Sequence, residues 1–401
     1  MVNIRKVTED IVWIGASDRR LALFENAFPI PRGVSYNSYL ITDEKTALLD
    51  TTDASVTEQF LENLKAALAG RTLDYLIVNH MEPDHCATIA EILLRYPGVK
   101  VVGNAKTFQM ISQFFDTEPA EEDRVVVKEG DTLSLGRHEL TFVMAPMVHW
   151  PEAMFTYDAT EKALFSADAF GTFGALDGHI FADEVDFPRD WLDDARRYYT
   201  NIVGKYGNNV QAVLKKAAGI EIERILPLHG PVWRKDLAWF LDKYQKWSTY
   251  EAEEQGVVIL YASMYGHTAS VADALAGMLS ERGVKKIAVY DVSNTDVSQL
   301  ISEIFRYSHL VFASVSYNAG IHPKMENLLA DMKALAVQKK TVALIENGTW
   351  APSAQKCLRA ALEGMKEMTI LEPAITVKSS FKNSQEAEMK ALVDALAEGL
   401  K

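Results

Sequence analysis

Residues 79–88 read Asn-His-Met-Glu-Pro-Asp-His-Cys-Ala-Thr, and His80, Glu82, Asp84 and His85 put two imidazoles and two carboxylates within six positions. The run follows Leu73-Asp74-Tyr75-Leu76-Ile77-Val78, an apolar stretch that reads as a buried strand. His80, Glu82 and Asp84 alternate, and a tight loop at a strand end can aim such neighbours at one point. Later polar residues share this setting. His149 ends the stretch 140–148, interrupted at Pro146; Asp168 follows Ala163-Leu164-Phe165-Ser166; His229 follows Ile225-Leu226-Pro227-Leu228 and precedes Gly230-Pro231. Any one of these histidines alone reads as a satisfied core or surface side chain. All seven residues, each just after an apolar strand and beside a turn signal, read as a metal site, because buried polar groups need partners and a metal is an efficient one. His138, His179, His309 and His322 lack this context.

The set holds four imidazoles, three carboxylates and no thiolate. One tetrahedral zinc would use three or four ligands, so this number points to two metals. A mixed imidazole and carboxylate shell suits iron or manganese better than a metal that prefers soft ligands. Charge agrees: two divalent ions against three carboxylates and a bridging hydroxide sum to zero, and burying net charge is costly.

The elements that must position these residues sit in a chain of 401 residues, too long for one typical core, so two domains are expected. Apolar content of 48% and charged content of 24% are those of a soluble globular protein. No stretch is long and apolar enough for a transmembrane helix, and the N-terminus lacks the apolar core of a signal peptide. The expected location is cytoplasmic. A net charge of −14 argues against a nucleic-acid or anionic-membrane binder. Cys86 and Cys357 form no CxxC pair, which argues against zinc ribbons, Cys-ligated iron–sulfur clusters and a disulfide framework. Each cysteine reads as a small buried hydrophobe.

Residues 1–250 mix short strands and turns with a few helices. Paired strands are expected at 36–41 and 46–50. A helix follows, carrying Val56, Phe60, Leu64 and Leu68 and stopping at Gly70. The pattern from 99 to 166 predicts mainly strands with Gly-rich turns. Helices are expected near 190–218, and then a strand at 224–228. Residues 248–256 read as a linker. From 256 to 401 apolar strands and amphipathic helices alternate, which predicts a doubly wound parallel sheet.

Three loops follow strands of that second domain. Ser263-Met264-Tyr265-Gly266-His267-Thr268 opens a helix at 269–279, where backbone N–H groups and the helix dipole favour a phosphate. It has neither the Walker A pattern nor G-x-G-x-x-G, so ATP and NAD are poor candidates and a single phosphate fits better. The other two are Ser314-Val315-Ser316-Tyr317-Asn318-Ala319-Gly320 and Glu346-Asn347-Gly348-Thr349-Trp350-Ala351-Pro352. All three lie at carboxyl edges of strands, where such sheets bind ligands. Tyr317 and Trp350 are placed to stack on a planar ring.

The order H-x-E-x-D-H, then His149, Asp168 and His229 at separations of 64, 19 and 61 residues, resembles the flavodiiron protein family. His149-Trp150-Pro151-Glu152 and Asp168-Ala169-Phe170-Gly171-Thr172-Phe173-Gly174 are similar to the family's flanking segments, and the three loops resemble the FMN-binding loops of flavodoxins. The resemblance implies a metallo-β-lactamase-like αββα sandwich over 1–250 and a flavodoxin-like domain, strand order 2-1-3-4-5, over 256–401. Zinc hydrolases of that first fold carry H-x-H-x-D-H, and here Glu82 stands in place of the middle His. By resemblance His80, Glu82 and His149 bind one iron, Asp84, His85 and His229 the other, and Asp168 bridges. FMN phosphate is expected on Ser263–Thr268, and the flavin ring against Ser316–Gly320 and Asn347–Trp350. The phosphate loop departs from T-x-T-G-x-T at Ser263, Tyr265 and His267, but its hydroxyls and Gly266 remain.

The resemblance also implies chemistry. Two ferrous ions and a reduced flavin together hold four electrons, enough to reduce O2 to two waters or to turn NO into N2O and water. The expected partners are a rubredoxin or similar electron donor, since no C-terminal rubredoxin segment is read here, and a second copy in a head-to-tail homodimer or dimer of dimers. A deazaflavin donor is the variant. Trp150 and Phe173 are candidates for the pocket wall, and Tyr198 or Tyr199 for a hydrogen-bond donor near the irons. Two rival readings stand beside this one. A zinc hydrolase would explain 1–250, and metal analysis separates it. An electron carrier fused to a structural domain would survive loss of His149.

Overall fold

The computed structural model describes residues 1–400. Two compact units divide the chain, Met1–Tyr244 and Gln245–Lys401.

The first unit is built on two sheets. One has seven strands in the order Arg5–Lys6, Ile11–Trp13, Tyr39–Thr42, Thr46–Leu49, Tyr75–Ile77, Lys100–Gly103 and Arg124–Val126. Its first four strands pair antiparallel and the rest parallel. The other sheet runs Thr132–Ser134, Glu139–Met144, Met154–Asp158, Ala163–Phe165 and Arg224–Leu226, with only its last pair parallel. Thr46–Leu49 and Ala163–Phe165 are buried at every position, as central strands covered on both faces must be. The sheets meet through side chains such as Tyr39 and Phe165, whose rings stand edge to face at 5.5 Å. Helices Thr57–Leu68, Ile89–Arg95 and Ala105–Phe114 cover the seven-stranded sheet with Phe60, Leu64, Ile89, Ile92, Phe108 and Ile111.

One local expectation needs correction, the extent of the strand before His149, and two gain detail. The region 99–166 is not strands alone, since it holds the helix Ala105–Phe114. Asn104 caps that helix by accepting from the Lys106 and Thr107 N–H groups. The strand expected at 140–148 ends at Met144, so His149 lies on the following turn. The helical region near 190–218 is interrupted by a π-helical stretch, Tyr199–Val203.

In the second unit the parallel strands lie in the order Ile287–Asp291, Glu254–Ala262, Tyr307–Tyr317, Thr341–Asn347, with Thr369–Ile370 and Ile375–Val377 both pairing the last. That is the order 2-1-3-4-5. Its core joins Ile259, Val311 and Ile345 of the strands to Val271 and Leu275 of the helix His267–Glu281 and to Leu392 of Glu386–Glu398.

Candidate metal centre and flavin cavity

All seven residues singled out in the first unit converge, and all are buried. They form two groups, His80 with Glu82, His149 and Asp168, and Asp84 with His85 and His229; within each group one donor atom per residue lies within 4.8 Å of the others. His149 Nε2 stands 3.0 Å from Glu82 Oε2 and 3.0 Å from Asp168 Oδ2. The other oxygen of Asp168, Oδ1, faces the second group at 3.1 Å from His85 Nε2 and 3.7 Å from His229 Nε2. Asp168 therefore presents one oxygen to each group.

Local structure explains how the run 80–85 serves both. Past the strand Tyr75–Ile77, the N–H groups of Asn79 and His80 donate to Asp50 Oδ1 at 2.7 and 3.1 Å, which turns the chain out of the sheet. Pro83, already at helical φ, then starts a single helical turn, Pro83–Cys86. That turn rotates Asp84 and His85 away from His80 and Glu82. At the other end Gly230 follows His229 at φ 75°, and a Cβ there would lie 2.1 Å from Thr172 Cγ2. Only glycine can follow the histidine so closely packed.

Outer contacts orient the rings. His80 Nδ1 meets Glu152 Oε1 at 2.8 Å, and the same oxygen accepts the Met81 N–H at 2.8 Å. His229 Nδ1 donates to the Ser35 carbonyl at 2.7 Å. A carbonyl only accepts, so Nδ1 of His229 carries the proton and Nε2 offers its lone pair to the site.

Several buried atoms here lack hydrogen bonds: both oxygens of Asp84, Asp168 Oδ1, His85 Nδ1 and the Tyr198 hydroxyl. Asp168 Oδ1 and Asp84 Oδ2 face imidazole nitrogens at 3.1 and 3.3 Å without forming hydrogen bonds; buried carboxylate oxygens in that state are costly, and cations among them would remove that cost. The donor set thus fits two metal ions held by imidazole and carboxylate. Without a cation, protons take that place. Burial alone would depress the imidazoles, but Asp168, Glu152 and Glu82 outweigh it and hold His80 well above the usual histidine range. Asp168 and Glu82 likewise outweigh burial at His149, raised to about 9. Burial would raise Glu82 and Asp168, yet their histidine neighbours hold both well below the carboxylate range.

Trp150 stands edge-on to His80 at 5.5 Å. Phe173 packs on Tyr198 at 5.1 Å, and Tyr198 lies 5.4 Å from the His229 ring. Of the two tyrosines, Tyr198 is thus the one beside the centre; Tyr199 packs on Tyr244 at 4.9 Å. Cys86 is buried, with its thiol on the Met81 carbonyl at 3.1 Å, and Cys357 is only half-buried. Sequence reading missed four contributors. Asp50 and Ser35 act through backbone and side-chain contacts that no local motif announces. Phe24 packs edge-on to His229 at 5.4 Å. Glu25, at φ 48°, hydrogen-bonds Glu82, and burial together with that carboxylate raises it to about 8. The hairpin carrying Phe24 and Glu25 has no metal-ligand spacing to betray it. Glu152 did stand inside a quoted segment, two residues before the strand Met154–Asp158, but without an assigned part.

In the second unit the three loops surround a cavity of 520 Å³. Every residue singled out in them lines it except Gly266 and Gly320. Gly266, at φ 87°, shapes the first loop, donating its N–H to Ser263 Oγ at 3.1 Å. Asn347 Nδ2 ties the third loop to Thr268 Oγ1 at 3.4 Å. Trp350 and Tyr265 are 91% and 88% exposed, so two aromatic rings stand free at the cavity mouth. No helix among the described residues is long and apolar enough to cross a membrane.

Comparison with known proteins agrees with this geometry. Residues 34–230 match the ODP family beta-lactamase model, and residues 259–386 match the flavodoxin model. A nitric oxide reductase of Moorella thermoacetica is 34% identical over 93% of this chain and 92% of its own length. The flavodiiron protein of Giardia intestinalis superposes with a TM-score of 0.92 at 26% identity, over 100% of this chain and 97% of that one. The rubredoxin oxygen:oxidoreductase of Desulfovibrio gigas does so with a TM-score of 0.91 at 28% identity, over 99% and 98%. Two groups of imidazole and carboxylate donors, a flavodoxin-type cavity and a relative matched almost end to end lead to one conclusion: this chain belongs to the flavodiiron protein family, oxidoreductases that carry FMN and a non-haem diiron centre.

Proposed function

We propose that this protein reduces O2 to water, NO to N2O, or both, at the site formed by His80, Glu82, Asp84, His85, His149, Asp168 and His229. The observation that carries this reading is Asp168, which turns one carboxylate oxygen to each group of donors. His80, Glu82 and His149 would hold one iron, Asp84, His85 and His229 the second, and Asp168 would join them. When bound, two ferrous ions and reduced FMN supply the electrons. The chain supplies the rest. Glu152 and the Ser35 carbonyl aim Nε2 of His80 and His229 into the site. Phe24, Trp150 and Phe173 exclude water around a small apolar diatomic. The Tyr198 hydroxyl has no hydrogen-bond partner and stands beside His229, free to donate to a bound oxygen atom.

FMN would occupy the 520 Å³ cavity, phosphate on Ser263–Thr268 and ring between Tyr317 and Trp350. A rubredoxin-like carrier is the proposed donor, in line with the flavorubredoxin of Klebsiella pneumoniae, 31% identical over 89% of this chain. A head-to-tail homodimer, or a dimer of dimers, is the proposed assembly, in a cytoplasmic setting. The aromatic rings standing free at the cavity mouth support a covering partner there, because exposed Trp and Tyr side chains are typical anchors of interfaces.

The test is anaerobic turnover of metal-analysed protein. After chemical reduction, O2 and NO consumption are followed separately by electrode. Two irons and one FMN per chain with rapid loss of either gas support the reading, and the ratio of rates names the preferred gas. Zinc in the site and no gas consumption would overturn it.

A further inference from the structure

The strand Ile375–Val377 ends in a fourth loop, Lys378-Ser379-Ser380-Phe381-Lys382, outside the three that sequence patterning singles out. The strand pairs parallel with Thr341–Asn347, so this loop stands at the same carboxyl edge of the sheet, where such sheets take ligands. Among the described residues, Ser379 is the one that lines the 520 Å³ cavity from outside the three loops. Asn347, whose side chain is buried, fixes it there from both sides of its backbone. Asn347 Oδ1 accepts the Ser379 N–H at 3.1 Å, and Nδ2 donates to the Ser379 carbonyl at 3.0 Å. These bonds hold Ser379 at φ 69°, a left-handed conformation uncommon for any residue but glycine. Asn347 Nδ2 also reaches Thr268 Oγ1, at the end of the first loop, at 3.4 Å. Ser379 Oγ lies 3.1 Å from Thr349 Oγ1 in the third loop. One hydroxyl of such a pair donates to the other, which leaves one O–H and several lone pairs for a ligand.

In FMN a ribityl chain bearing neutral hydroxyls joins the phosphate to the ring. With phosphate on the first loop and ring against the second and third, that chain must cross the stretch of wall between Thr268 and Thr349, to which Ser379 is tied. We infer that the Ser379–Thr349 hydroxyl pair binds the ribityl hydroxyls of FMN, which makes the loop 378–382 a fourth element of the flavin site. The inference rests on the proposed seating of FMN in this cavity. Neutral hydroxyls that both donate and accept match a sugar alcohol, whose own hydroxyls do the same. Asn347 acts here as a positioning residue, since its bonds run to the Ser379 backbone and leave the hydroxyl free to meet the ligand.

The experiment uses the full-length protein stripped of flavin, titrated separately with FMN, riboflavin and lumiflavin, which keeps the ring but has no ribityl chain, and read by quenching of flavin fluorescence. Ser379→Gly removes the hydroxyl while glycine adopts the same φ freely, so the loop keeps its shape. Thr349→Val removes the partner hydroxyl at nearly constant volume. Each substitution is expected to weaken FMN and riboflavin alike, by about three- to tenfold, the usual worth of a hydrogen bond between neutral groups, and to leave lumiflavin unchanged. Unchanged FMN affinity in both variants overturns the inference. So does equal weakening of all three flavins, which marks a general loss of cavity shape, and so does weakening of FMN alone, which turns the pair toward the phosphate. If the unmodified protein binds lumiflavin as tightly as FMN, the seating of FMN in this cavity fails first, and the role of Ser379 fails with it.

Discussion

His85 and His229 point their Nε2 atoms at each other across 3.0 Å. Two ring nitrogens at that distance are stable only if a proton or a metal lies between or beside them, since their lone pairs otherwise repel. His229 has its proton on Nδ1, committed to the Ser35 carbonyl. The pair is thus arranged to share a cation, and nearby Asp84, with both oxygens free of hydrogen bonds, completes the arrangement.

Iron loading should therefore release protons. His149, raised to about 9, is protonated at pH 7 in the metal-free protein, and metal must displace that proton. Calorimetric titration with ferrous iron in buffers of different ionisation enthalpy should show proton release at pH 7 and less of it above pH 9. Linkage gives a companion effect. The folded state holds this proton more tightly than the unfolded chain, so the stabilisation is complete below about pH 6.5 and is lost as pH rises through 9. It amounts to on the order of 3 kcal/mol. Thermal melting of the metal-free protein should fall over that window. A flat profile together with no proton release would refute both statements.

Asp168→Asn should lower iron content at both positions, whereas His149→Ala or His229→Ala should chiefly affect one. The reason is that Asp168 alone faces both groups. Metal analysis reads this directly, with close to no iron expected in the first variant and about one iron per chain in the others. Equal iron in all three would remove Asp168 from its special place.

Glu152→Gln should weaken iron binding by about 10–100-fold, the usual cost of losing a partner that orients a ligating histidine. The amide cannot carry the negative charge that faces His80 Nδ1, although it still accepts from the Met81 N–H. Competition with a chelator gives the affinity. Unchanged affinity would mean that His80 needs no such partner.

Lys340 lies buried in the second unit and donates from Nζ to the carbonyls of Phe305 and Tyr307 at 3.1 and 2.9 Å. Burial lowers it to about 7 from 10.5. Between those values the unfolded chain binds a proton that the folded one does not, so stability should rise with pH from about 7 to about 10. Lys340→Met should flatten that slope while costing about 1–3 kcal/mol for the two carbonyls left without a donor. Urea unfolding of the second unit at several pH values provides the check, and a slope unchanged by the substitution would exclude Lys340 as its source.

The sequence by itself determined which seven residues converge in the first unit and which loops line the cavity of the second. The alternation His80, Glu82, Asp84 is local, and His149, Asp168 and His229 each follow an apolar strand, a signal that needs no tertiary information. The alternation of strands and helices after residue 256 likewise made the parallel sheet legible, because buried strands read as continuous apolar runs. Tertiary structure alone decided how the seven residues divide. The turn Pro83–Cys86 separates His85 from His80, and Asp168 shows one oxygen to each side only once both sheets are stacked. The helix Ala105–Phe114 was hidden among strand-like neighbours, despite its Asn104 cap. Asp50 reaches Asn79 across 29 residues and Ser35 reaches His229 across 194, and Phe24 and Glu25 likewise come to the centre from far along the chain. Such contacts follow from packing, whereas pattern along the chain reports only neighbours in sequence.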